Sequence, residues 1–88
     1  MALAKDIRRV SSPDGTVVLH LRRGTMFRVN RLGSRVLELL DRDASIQEIT
    51  HLLSVEFGVA PNIVEADVTG FLKSLRVHGA IDFDIDGI

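Results

Sequence analysis

Three histidines, twelve carboxylates and no cysteine are the groups in this 88-residue sequence that chemistry could use. His20, His51 and His78 fall in three separate segments, and no spacing sets a nucleophile beside a base. There is no glycine-rich phosphate loop, and without cysteine neither a thiolate metal site nor a disulfide can form. The densest run of carboxylates, Asp82-Phe83-Asp84-Ile85-Asp86-Gly87, matches the opening of a calcium loop but lacks the bidentate glutamate that closes one. Its alternation with Ile81, Phe83 and Ile85 reads instead as a half-buried strand over 81–85. The expectation is therefore a chain that is not an enzyme and uses no metal or cofactor, with its histidines on the surface or in packing.

The elements that must carry any other function follow from periodicity. Thr16 to Leu21 is a β-branched and apolar run entered through the turn residues Pro13-Asp14-Gly15. Met26 to Val29 follows Arg22-Arg23-Gly24, where Gly24 can take the positive φ of a tight connection, so the two runs should pair antiparallel. Ile7 to Val10 can add a third strand, half exposed because of Arg8 and Arg9. After Asn30, a suitable N-cap, the spacing of Leu32, Val36, Leu37, Leu39 and Leu40 predicts a helix over 31–40. Ser45-Ile46-Gln47-Glu48 is a capping box for a second helix over 45–57, with Ala44 and Ile49 as its staple and Gly58 as its stop. Pro61 opens a third helix over 61–78, whose apolar face is Val64, Val68, Phe71, Leu72 and Leu75 and which Gly79 can end. The order predicts an α+β fold, a small antiparallel sheet of two or three strands within 5–29 followed by three helices, of which the second and third have helix-turn-helix proportions.

At this length, with 45% hydrophobic residues, the chain should form one domain, 1–88, around one modest core. No run approaches the ~20 apolar residues of a membrane span, and Met1 to Val10 carries charges where a signal peptide needs an apolar stretch. The expectation is a cytoplasmic protein without membrane contact. The formal net charge of −1 hides a division: +6 over Met1 to Arg35 and −7 over Val36 to Ile88. That division disfavours a uniformly basic nucleic-acid binder and allows a basic face on the N-terminal segment.

The order and spacing of Val17 to Leu21, Gly24-Thr25-Met26-Phe27-Arg28-Val29-Asn30, Gly33, Val36 to Leu40, Ser45 to Ile49 and Asp67 to Leu75 followed by Gly79-Ala80-Ile81 resemble the pyrroloquinoline quinone synthesis protein D family. The resemblance covers nearly the whole chain. It implies a winged helix-turn-helix fold, the precursor-peptide recognition element, that binds the leader of a ribosomally made precursor and delivers it to a partner. That partner would be a radical S-adenosylmethionine enzyme or a leader peptidase. It also implies a peptide site with Thr25, Met26, Phe27 and Arg28 on the strand and Val64, Asp67, Phe71 and Ser74 on the third helix.

The residues give that site its own physical basis. The Met26 to Val29 strand should be a sheet edge, whose unpaired N–H and C=O groups can receive an extended peptide. Phe27 reads either as a pocket wall or as a core aromatic. Asp67 reads either as an acceptor for the peptide or as a solvated helix charge. Arg28, Arg22 and Arg23 could attract an acidic leader, or could simply discourage edge aggregation. Gly70, within the third helix, suggests close approach by a neighbouring backbone or a bound peptide. The alternative function is a winged-helix DNA-binding regulator, which would need basic residues on the third helix; there, Lys73 and Arg76 are opposed by Glu65 and Asp67. An open edge could also pair with its own copy to form a homodimer.

Overall fold

The computed structural model describes residues 3–81. Three strands, β1 (Ile7–Ser12), β2 (Gly15–His20) and β3 (Thr25–Val29), precede three helices, α1 (Arg31–Asp41), α2 (Ile46–Phe57) and α3 (Pro61–Val77). The sheet is antiparallel in the order β1-β2-β3, so both β1 and β3 are edges. Only the two residues Pro13 and Asp14 separate β1 from β2. The β2–β3 connection is a four-residue loop in which Gly24 has φ +66° and donates its N–H to the His20 carbonyl at 2.9 Å. That loop takes Leu21, expected in the strand, out into solvent at 57% exposure. Of the tail expected as a strand over 81–85, Ile81 bridges Leu3, and the rest lies outside the described residues, as does the acidic run 82–87.

Burial alternates along β2 and β3 as a one-sided sheet requires. Thr16, Val18 and His20 are buried toward the helices, and Phe27 and Val29 pack against the same core. The core centre is Leu37 and Leu40 of α1, Ile49 and Leu53 of α2, and Val68, Leu72 and Leu75 of α3, all fully buried. Hydroxyls tie α1 to the sheet: Thr16 Oγ1 lies 2.7 Å from Ser34 Oγ and 3.2 Å from Ser11 Oγ.

Each helix begins where its residues dictate. The Asn30 side chain accepts the Gly33 N–H at 2.9 Å, which starts α1 directly at the end of β3. Ser45 and Glu48 form both halves of the capping box on α2. Gly58, in the left-handed conformation, ends α2, and Pro61 opens α3. Arg35 locks α1 to α2: its Nε donates to both carboxylate oxygens of Glu56 at 3.0 and 3.1 Å, and its Nη1 to Glu38 at 2.6 Å. The Glu56 and Glu38 hydrogen bonds raise the already high Arg35 pKa, so this clamp is always charged. No helix among the described residues is long and apolar enough to cross a membrane.

Two outcomes check this packing by chemical denaturation. Truncating Leu37 to Ala should cost about 2–5 kcal/mol, whereas Ser45→Ala should cost about 1 kcal/mol through loss of the cap. The backbone N–H of Ser45 is the main cause that holds the Glu48 carboxyl below its ordinary value. Its contribution to stability is therefore present above the unfolded-state pKa and is lost as pH falls through the lowered folded value. Glu48→Gln should remove that part of the acid sensitivity and leave the neutral-pH profile flat.

Candidate peptide-binding groove

The open edge of β3 is the feature on which this site is built. Antiparallel pairing to β2 uses one side of the strand and leaves alternate N–H and C=O groups on the other side without a ladder partner among the described residues. The opposite edge, β1, is blunted. Arg8 Nη1 donates to the carbonyls of Lys5 and Ile7 at 3.0 and 2.9 Å, occupying acceptors at the start of that strand, and Arg9 pairs with Asp41 of α1.

β3 and α3 meet through side chains placed at the two ends of a groove. At one end, Val29 and Phe71 converge on Gly33 in the first turn of α1. A Cβ at Gly33 would stand 3.0 Å from the Val29 Cβ and 3.1 Å from the Phe71 ring, so glycine is what lets that ring settle there. At the other end, Phe27 stacks on His78 with ring centroids 4.5 Å apart and planes 18° from parallel. Arg23, from the β2–β3 loop, lies over Gly79 and donates to the Val77 carbonyl at 3.3 Å, a cation on the negative end of α3.

Beside the Gly33 end opens a groove of about 310 Å³ lined by Asn30, Leu32, Gly33, Val36, Asp67, Val68 and Phe71. Asp67 is the only ionisable residue in this lining, and it makes no hydrogen bond or ion pair with another described residue. Asp67, Phe71, Ser74 and His78 recur at intervals of four, three and four, so they form one stripe along α3. An extended chain laid along β3 would meet backbone groups on one side and this stripe on the other.

The structure distributes the eight expected site residues unevenly. Asp67 and Phe71 line the groove. Ser74 is exposed one turn beyond Phe71, and Phe27 is half-buried against both the core and His78, so it is at once a packing residue and the wall of the lower end. Thr25, Met26 and Arg28 are exposed on β3, with Met26 and Arg28 on the face turned away from the helices. Val64 is corrected: at 2% exposure it belongs to the core and offers no surface to a ligand. At Gly70 nothing lies within 4 Å of where a Cβ would be, so close approach by a neighbouring backbone of the described residues is not what the glycine serves. Arg22 pairs with Asp6 at 3.3 Å and Arg23 with α3, so both arginines hold the scaffold.

Sequence reasoning placed Asn30 as a cap and Gly33 as a spacing feature, and missed both as groove lining. It also missed Leu32, and His78 as the partner of Phe27. The usable signal was Gly33, an interior helix glycine three residues after a cap, which costs helix propensity and so points to a close neighbour.

The geometry agrees with what comparison finds. No curated protein matches the chain in sequence. The solved structure of TbiB1 in complex with the TbiA(beta) leader peptide is 29% identical, superposes with a TM-score of 0.90, and is matched over 98% of this chain and 100% of that one. A lasso peptide synthetase B1 complexed with its leader peptide shares the fold at 23% identity and a TM-score of 0.81, over 89% of this chain and 92% of that one. The family model of coenzyme PQQ synthesis protein D (PqqD) matches residues 15–81, from the first residue of β2 to the bridge at Ile81, and the chain belongs to that family.

Proposed function

We propose that this protein captures the leader segment of a ribosomally synthesised precursor peptide by β-strand addition to β3 and delivers it to the enzyme that modifies or cleaves the precursor. The observation that carries this reading is a strand edge with no partner strand among the described residues, running beside a groove lined by Leu32, Phe71 and Asp67, whose carboxylate makes no hydrogen bond or ion pair with another described residue. Two solved structures of the same fold, each in complex with a leader peptide, support it. Main-chain hydrogen bonds to β3 supply affinity that tolerates leader sequence, while Phe71, Asp67 and the Phe27 wall select side chains. The protein itself is not a catalyst: it raises the leader's effective concentration beside a radical S-adenosylmethionine enzyme or a leader peptidase, which performs the chemistry in the cytosol.

A DNA-binding role has weaker support. The exposed surface of α3 that a duplex would meet carries Glu65 and Asp67 as well as Lys73 and Arg76, so phosphate neutralisation there is poor.

The test uses a synthetic leader from the precursor gene adjacent to this one. Successive backbone N-methylation should weaken binding at every second position of the paired segment, because only alternate leader amides point at β3. A flat response across that segment would reject strand addition, and saturable shifts of α3 amides with duplex DNA but none with leader would reject the function. Phe71→Ala should weaken leader binding by about tenfold or more in isothermal titration, since it removes an aromatic wall of the groove. Gly33→Ala, which displaces the same ring, should also weaken it.

A further inference from the structure

The sheet face turned away from the helices departs from the polar pattern that such a face normally shows. The register aligns two cross-strand rows on it: Val10, Val17 and Arg28, then Arg8, Leu19 and Met26. Val10 and Met26 are 62% and 67% exposed, Val17 and Leu19 are half-buried between them, and every helix that contacts the sheet does so from the other side. Among the described residues, these two rows thus form an apolar centre with an arginine at two diagonal corners and hold no carboxylate. An apolar patch with a polar rim marks an interaction surface.

We propose that this face docks the enzyme that receives the leader, through a patch on that enzyme with an apolar centre and a rim of aspartate or glutamate. The inference rests on the strand-addition reading above and extends it to a second surface. Charge decides the occupant. The same two rows of a second copy would bring two more arginines against the first pair, whereas an acidic-rimmed partner neutralises both corners.

Continuity with the peptide edge supports the same occupant. β3 belongs to both surfaces, and a leader strand added to it becomes the fourth strand of this face. Every second leader side chain then joins the patch. The enzyme meets a composite of protein and leader, so by linkage the leader must tighten enzyme binding and the enzyme must tighten leader binding by the same factor.

The experiment measures binding of the full chain to the leader-processing enzyme encoded beside it, with and without saturating synthetic leader. The variants are Val10→Glu combined with Leu19→Thr, and separately Arg8→Glu. None of these positions borders the groove. Wild type should bind the enzyme more tightly when loaded with leader, and each variant should lose about tenfold in enzyme affinity while holding leader as wild type does. Unchanged enzyme affinity in both variants would overturn the inference. So would a wild-type dimer that the variants dissociate, or wild-type binding to phosphatidylglycerol vesicles that the variants abolish. Failure of the wild type to bind leader is a separate result: it removes the proposed function, while the variants still score the face through enzyme affinity measured without leader.

Discussion

The rest of the structure depends on β3 being bounded differently on each of three sides. Its inner face is committed to the core through Phe27 and Val29, one edge is committed to β2, and the other edge pairs with no strand among the described residues. An open edge invites uncontrolled pairing, and proteins normally blunt such strands. Here Arg8 occupies the carbonyls of Lys5 and Ile7 at the start of β1, and no such side-chain contact to the β3 backbone is made by the described residues. The two edges therefore differ at the start of β1, where the Ile7 carbonyl already has a partner.

Availability alone would not give a site; the strand must also be held at a fixed distance from α3. Asn30 turns the chain from β3 straight into α1, so the position of β3 is set by the helix that follows it. Gly33 then lets Phe71 and Val29 approach at one end, and the Phe27–His78 stack with the Arg23 contact sets the spacing at the other. Beside the first of these points the groove between α1 and α3 is present without a ligand, which spares a bound peptide much of the ordering cost that a mobile site would add. The Arg35 clamp between α1 and α2 keeps the floor rigid from behind.

Much of this was legible in the residues because local rules and tertiary packing agree. The periodicity of Leu32 to Leu40, the Ser45–Glu48 box and Pro61 each marked a helix boundary to within a residue or so, since capping is decided by neighbours in sequence. The edge status of β3 followed from strand order. What failed was whatever depends on helix rotation. Val64 and Asp67 are three apart, yet one is in the core and the other on the groove, and period alone does not fix where that boundary falls. Gly70 and Gly33 illustrate the same limit: both interrupt helices, but only Gly33 has a neighbour close enough to need the missing Cβ. The Phe27–His78 stack joins residues 51 positions apart, and no sequence pattern announces such a contact.

The most direct measurement is amide hydrogen exchange at single-residue resolution, followed by nuclear magnetic resonance with and without the adjacent gene's leader peptide. Strand addition predicts that alternate amides of Thr25–Val29, fast in the free protein because they face solvent, become protected on leader addition, while the amides already bonded to β2 change little. Protection confined to α3, with the exchange of β3 unaltered, would contradict the account, because the peptide would then be held without the edge around which the fold is arranged.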